Sequence, residues 1–424
     1  MVQLVTLLTL SSYNDVGISP GPVVLRFLSP EYIYIEWYHD TQYPNDEYGC
    51  TSLPNIFHHW LMKREDLEAG KDTHINLLGS ECTNFLGSFV TVSIRRKALI
   101  IGGYRYTGPN AGPPKVVIVD ISNPESPSVI KELELSTSAS DYPPARVLYS
   151  EKHDLILIAY SFPSERFHYG TWDEVINASH IDDLPSINGY RELWPIDGDK
   201  CIIVGSAGVA VFDFTAKTVT PLTVPGTWRK FLRTPNYLVI VYDTDADTIG
   251  VQFRDVSDLS LVRDIDTGKS CPSNRGYLLE VPVGDKVVII DSESKVMFSV
   301  DVNGNIGDEV SIPDQCAWGD RSNDGTILCT DRGYGPGGRI KKLVGDTYYS
   351  VTLSNGKACI KDNAGNPVPN KQVFVAIVGT GRNSIREGLG YDGLDNVTVR
   401  TTGSDGCVNI SDLAGNPVDI IVGE

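Results

Sequence analysis

Residues Lys115–Leu135 read KVVIVDISNPESPSVIKELEL. Four apolar residues run up to Asp120, a Ser-Asn-Pro turn follows, and a second stretch mixes apolar and charged residues. The first run is short and rich in Val and Ile, the signature of a buried strand. The same ending recurs in AVFDFT, VQFRDVS and MFSVDVN: apolar residues, Asp, an apolar residue, then Ser, Thr or Asn. The aspartates are Asp120, Asp213, Asp255 and Asp301, spaced by 93, 42 and 46 residues, the first spacing being close to two units. A carboxylate there can accept backbone N–H groups and close the turn into the next strand, so these aspartates read as structural.

A second element precedes each of these endings. Turn formers followed by four to six Ile, Val, Leu or Tyr residues occur in SPEYIYIEW, RRKALIIGG, EKHDLILIAY, DGDKCIIVG, RTPNYLVIVY, VGDKVVIID and NDGTILCTD. That makes seven copies between Ser29 and Asp331. A period of about 40–50 residues of short strands is the period of β-propeller blades. Lys115–Leu135 also resembles the LVIVD-type β-propeller repeat of bacterial and archaeal cell-surface proteins. That motif runs from an apolar strand through Asp-x-Ser-x-Pro into a final strand, and the close match covers about one blade.

The expected fold is therefore all-β, with a seven-bladed propeller over residues 1–346. Blade one spans about Pro22–Gly79 with an insertion holding Cys50, blade two Phe85–Leu135, and blade three Ala145–Pro185 with FHYGTWDEVI as an irregular third strand. Blades four to six end near Val224, Asp266 and Pro313, and a short blade seven starts near Cys316. The N-terminal strand Gln3–Leu10 is free to complete blade seven and to remove an open edge.

Beyond about Thr347 the texture changes. Strands in ACIKD, KQVFVAI, NVTVRTT, CVNIS and VDIIV alternate with Gly-Asn-Pro and Ser-Asp-Gly turns, the pattern of a small Ig-like sandwich over 347–424. The segments DNAGNPVPNKQVFVAI and TTGSDGCVNIS resemble bacterial Ig-like and carboxypeptidase-regulatory-like modules, which implies a spacer, polymerising unit or adhesive tip. D-x-A-G-N-P-V occurs twice, at Asp362 and Asp412. Cys359 and Cys407 fall on different strands and could bridge them, adding stability to a small core.

Composition narrows the function. The net charge is −18, from 54 acidic and 36 basic residues, so phosphate backbones are repelled and nucleic acid is not an expected partner. Forty Gly and 25 Pro with only 3 Met favour turns over helices. No run of about 18 apolar residues occurs, so no membrane span is expected. MVQLVTLLTLSSYND lacks a basic start and does not read as a secretory signal. The eight cysteines contain no C-x-x-C. Cys316 and Cys329 flank a turn at Ser322-Asn323 and could pair across a hairpin; Cys50 and Cys82 are further disulfide candidates. Sequons stand at Asn177, Asn396 and Asn409. An oxidised, exposed protein and a cytosolic protein with buried thiols both fit these features.

Catalytic and metal motifs fail on their spacing. Thr267-Gly268-Lys269-Ser270 matches the end of a P-loop, but Arg263 stands where a glycine is required. Gly205-Ser206-Ala207-Gly208 reads as a hairpin rather than a nucleophile elbow. His58 and His59 are adjacent on a strand, face opposite ways and cannot easily share a metal. Asp243, Asp245 and Asp247 could approach calcium but lack the glycine and glutamate of an EF-hand loop, and Asp301-Val-Asn-Gly-Asn305 reads as a hairpin turn. No cofactor or metal is expected. Exposed aromatics that could contact carbohydrate or protein are Tyr104, Tyr106, Tyr169, Trp172 and Trp318; packing is the competing role for each.

These features predict a non-enzymatic structural or attachment protein on a virion or other extracellular surface. Its partners would be other structural subunits, and host-surface carbohydrate or protein. A prokaryotic cell-surface or filament adhesion protein, a propeller-scaffold glycoside hydrolase or lyase, and an intracellular scaffold are the alternatives.

Overall fold

The computed structural model describes residues 3–10, 22–27, 32–40, 55–71, 73–79, 83, 85–93, 95–106, 111–136, 145–161, 164–227, 229–273, 278–283, 285–312, 318–321, 327–330, 338–344, 350–362, 365–378, 394–414 and 418–422. Among them lie seven four-stranded antiparallel sheets. Six are meanders in chain order, over 22–76, 85–134, 146–188, 192–221, 229–270 and 278–311. The seventh joins Trp318–Arg321, Ile327–Thr330 and Gly338–Val344 to the distant strand Gln3–Leu10, which pairs antiparallel with Gly338–Val344.

First strands of successive sheets touch, from Pro22–Phe27 through to Leu278–Val283, and Trp318–Arg321 touches Pro22–Phe27 in turn. These strands therefore face the centre, and the layout is that of a β-propeller. The seven apolar copies of the sequence are the second strands, and the recurring aspartates end the third strands. The apolar runs are continuous because a second strand within the ring is covered on both faces. Leu155, Leu157 and Ala159 pack into the core shared with the fourth sheet; Ile156, Ile158 and Tyr160 pack into the core shared with the second. A lone sheet would leave both faces wet. At roughly 1.5–3 kcal/mol per large side chain, stacking supplies the stability that no single sheet has.

The turn role of the aspartates is visible directly. Asp120 accepts the N–H of Ser122, Asp213 those of Thr215 and Ala216, Asp255 that of Ser257, and Asp301 those of Asn303 and Asn305.

One segment differs from its sequence reading. Arg166–Thr171 is a regular third strand, but Trp172–Asn177 is an α-helix rather than more strand. Thr171 accepts the Glu174 N–H while the Glu174 carboxylate accepts the Thr171 N–H, a capping box that starts the helix. The fourth strand of this sheet, Ser186–Asn188, falls just past the expected boundary at Pro185.

The C-terminal segment forms two three-stranded sheets. Ser350–Ser354, Lys357–Lys361 and Cys407–Asn409 make one; Leu394–Thr401, Gln372–Val378 and Val418–Val422 make the other. Ala358, Ile360 and Val408 of the first meet Val373 and Val375 of the second in a shared core. Cys359 and Cys407 stand directly opposite on neighbouring strands and form a disulfide.

Candidate functional site

Charged side chains cluster at the end of the ring where the innermost strands begin. Arg146 opens the innermost strand of the third sheet. Its guanidinium lies 4.4 Å from the Phe89 ring centre and 5.8 Å from that of Trp194, with Nη2 3.8 Å from Glu192 Oε1. Arg191, half exposed, reaches Glu165 at 3.2 Å and Glu192 at 3.7 Å. Close backbone approach makes this arrangement possible. A Cβ on Gly102 would drive into the Ala145 carbonyl oxygen, and one on Gly205 would stand 2.8 Å from Glu165 Oε2.

Electrostatics keep Glu165 charged. Burial raises Glu165, but hydrogen bonds from Ser206 and the charge of Arg191 outweigh it and leave the carboxyl below its ordinary value. A glycosidase needs one carboxyl kept protonated. Asp197 is raised by burial, yet its Oδ1 accepts the N–H groups of Asp199 and Lys200 in a turn. Further round the ring, Lys230 and Glu280 of adjacent innermost strands form a buried ion pair at 2.8 Å. Such a pair leaves neither charge uncompensated in the interior.

Among the aromatic candidates whose side chains are described, Tyr104, Tyr169 and Trp172 stand apart. Tyr104 is half buried near the end of the strand Ala98–Tyr106, and Tyr106 ends that strand opposite Ala111. Trp172 is buried, with the Arg96 guanidinium 5.3 Å above its ring and Tyr149 edge-on at 6.1 Å. Arg96 sits just before Ala98, so Trp172 lies at the opposite end from Tyr106, a strand length of roughly 25 Å away. Trp172 is a packing residue. Tyr169 is half buried against Phe167 and Phe212 under the Lys217 ammonium. Trp318 pairs with Thr330 in the innermost strand of the seventh sheet, and its side chain lies outside the described residues.

Asn177 and Asn409 are exposed, Asn177 donating to the Asp173 carbonyl within its helix; the Asn396 side chain lies outside the described residues. Cys50, Cys82 and Cys316 also lie outside them. Cys329 is buried and disulfide-bonded, whereas Cys201 and Cys271 are cysteines outside any disulfide. In the loop read for calcium, Asp243 accepts from the N–H and hydroxyl of Thr227, and Thr244 and Thr248 close the turn. Among the described residues no group of three or more His, Cys, Asp or Glu is arranged to hold a metal ion, and no helix is long and apolar enough to cross a membrane.

The opposite end of the ring holds clasps that sequence reading missed. Arg96 of the second sheet grips Asp154 of the third through Nε at 2.9 Å and through Nη2, while Tyr149 donates to the same carboxylate at 2.6 Å. Lys152 and His153 of the third sheet meet Asp199 of the fourth at 2.6 and 2.7 Å. Thr234 and Asn236 of the fifth donate to Asp285 of the sixth at 3.2 and 2.6 Å. Burial alone would raise Asp154 and Asp199, but these partners hold both below the ordinary carboxylate range. The signal was present: each aspartate stands at the start of a second strand, in KHDLILI, GDKCIIV and GDKVVII.

No family model matches the chain, and no curated protein matches its sequence. Several solved structures are similar to it. A chain of the mitotic checkpoint complex is similar at 11% identity and a TM-score of 0.50, covering 80% of this chain and 93% of that one. The WD40 domain of Neurospora crassa Pan2 is similar at 10% identity and a TM-score of 0.44, covering 80% and 95%. A candidate 6-phosphogluconolactonase of Bacteroides fragilis is similar at 13% identity and a TM-score of 0.41, covering 73% and 85%. At such identities the likeness concerns the fold alone.

Proposed function

We propose that this chain is a non-enzymatic structural or attachment protein exposed on a virion, as a capsid, spike or tail component. In this reading residues 1–346 are a seven-bladed propeller with a recognition face, and residues 347–424 are an Ig-like unit that anchors or polymerises. Its partners are other structural subunits, and carbohydrate or protein on a host surface. The observation that carries the reading is the pairing, in one chain, of a ring of stacked sheets with a small sandwich tied by Cys359–Cys407. Disulfides of this kind suit oxidising, exposed surroundings. The ion-paired carboxylates of Glu165 and Glu192 support binding over chemistry. A prokaryotic cell-surface or filament adhesion protein is the second reading, favoured by the Asp120-x-Ser122-x-Pro124 segment.

Electron microscopy and native mass of the purified full chain test this. Filaments, or spike- or capsid-sized assemblies, are the expected outcome. A monomer that releases reducing sugar from polysaccharide overturns it.

A further inference from the structure

The chain holds three Asn–Gly pairs, at Asn188-Gly189, Asn303-Gly304 and Asn355-Gly356. An asparagine before glycine carries a latent reaction. The backbone nitrogen of the following residue can attack the side-chain amide carbon, and glycine, with no Cβ, leaves that nitrogen unshielded. The nitrogen must first give up its proton, so a hydrogen bond donated by that N–H holds the reaction back. The three pairs differ on this point. The Gly189 N–H donates to the Glu165 carbonyl at 2.9 Å, and the Gly304 N–H to the Asp301 carbonyl at 3.0 Å. The Gly356 N–H has no hydrogen-bond acceptor among the described residues.

The surroundings of the three asparagines differ in the same sense. Asn355 and Gly356 form the turn between the strands Ser350–Ser354 and Lys357–Lys361, where Ser354 pairs with Lys357. Both have positive φ, 50° and 70°, as a tight two-residue hairpin turn requires. The Asn355 side chain is exposed and makes no hydrogen bond among the described residues, so its amide is at liberty to turn toward the Gly356 nitrogen. Asn188 and Asn303 are exposed too, so exposure does not separate the three. Asn188 is instead held in a strand, opposite Arg166. Asn303 sits in a turn where its own N–H and that of Asn305 both donate to Asp301 Oδ1 at 2.9 Å.

We propose that Asn355 is a self-modification site, at which the folded chain converts asparagine to aspartate and isoaspartate with water as the only co-reactant. The Gly356 nitrogen loses its proton to hydroxide and attacks Asn355 Cγ. A new C–N bond forms, the bond from Cγ to the amide nitrogen breaks, and that nitrogen leaves as ammonia with a proton from water. The product is a five-membered succinimide, which a second water opens. Attack at Cγ restores the original backbone with an aspartate side chain. Attack at the backbone carbonyl carbon leaves the main chain running through Cγ, as isoaspartate. Either product adds one negative charge, and isoaspartate also adds one carbon to the main chain of a two-residue turn. The Gly356 carbonyl accepts the Ile410 N–H at 2.7 Å, and a Cβ on Gly356 would stand 3.1 Å from Ser411 Cβ. The turn is therefore packed on Ile410 and Ser411, and the lengthened backbone releases that contact.

The test is incubation of the full chain at mildly alkaline pH, folded and beside an unfolded control in urea, followed by peptide mass spectrometry. The control, in which all three pairs convert, sets the time. In the folded chain the mass gain of an amide exchanged for a carboxyl is expected at Asn355 before Asn188 or Asn303, with aspartate and isoaspartate both present. Conversion of Asn188 or Asn303 as fast as Asn355 overturns the proposal, and so does an unconverted Asn355 once the control has reacted. Aspartate without isoaspartate overturns the succinimide route. Asn355→Gly removes the amide carbon and keeps a residue that accepts positive φ; a mass gain in its turn peptide overturns the assignment, and none is expected. Converted chains carry the extra charge and separate on an anion exchanger. Faster amide exchange at Ile410 is expected in that fraction, and unchanged exchange overturns the release of the turn.

Discussion

The ring and the C-terminal sandwich solve the same problem differently. Each described seam of the ring has its own apolar core, and several add a polar clasp. Among its described residues the sandwich has one small core, one disulfide, and the clamp of Arg400 on Asp412 at 2.9 and 2.7 Å. Stability in the ring is spread over repeated interfaces; in the sandwich it is concentrated in a few contacts. One substitution should therefore remove a modest share of the first and a large share of the second.

The largest expected effect is in the sandwich. Replacing Cys359 and Cys407 together by Ser frees a loop with a sequence separation of 48, which costs about 4 kcal/mol in the chain-entropy account. Hydrogen exchange should show lost protection across 350–422 and none across the ring. Equal loss in both regions would mean that the two are not independent.

A smaller effect is expected at a seam. Gly102→Val forces a Cβ into the Ala145 carbonyl and should destabilise the ring by about 1–3 kcal/mol, read as a lower urea midpoint with an unchanged slope. A neutral result would show that the second and third sheets can separate locally at no cost.

The smallest effect is at a clasp. Asp154→Ala strips the carboxylate from Arg96 and Tyr149 and should cost about 1 kcal/mol, because the pair is partly exposed. Its pH dependence has a definite sign. Asp154 and Asp199 are held below their ordinary values, so their contribution is complete above that range and is lost as pH falls through it. The wild-type ring should weaken from about pH 4 downward, and Asp154→Ala should weaken less steeply over the same interval. Parallel curves would remove Asp154 from the acid response.

The contrast also explains what could be read in advance. Second strands such as LILIAY announce themselves because both faces are covered, which makes the apolar run continuous. The third-strand aspartates were legible because each acts within its own turn. The clasps were not, although Asp154, Asp199 and Asp285 stand at matching positions: their partners come from the preceding sheet, and nothing local marks them. Trp172 reads as an exposed aromatic until the helix that starts with it is recognised from Thr171 and Glu174, a capping signal only four residues long. The D-x-A-G-N-P-V phrase shows the same limit. Its first Asp accepts the Asn366 N–H in a local turn, while its second grips Arg400 twelve residues back.

The pairing of Gln3–Leu10 with Gly338–Val344 carries a consequence for biosynthesis. Thr9 lies opposite Arg339, so the strand Gln3–Leu10 leaves the ribosome long before its mate exists and must wait until the six intervening sheets have been made. Adding residues to so long a loop raises the closure entropy only slowly, but a contact of that span arrives late on the folding route. Until then this strand is open to pairing with a foreign strand, and the latch that ends this exposure is among the last pieces of the ring to be made.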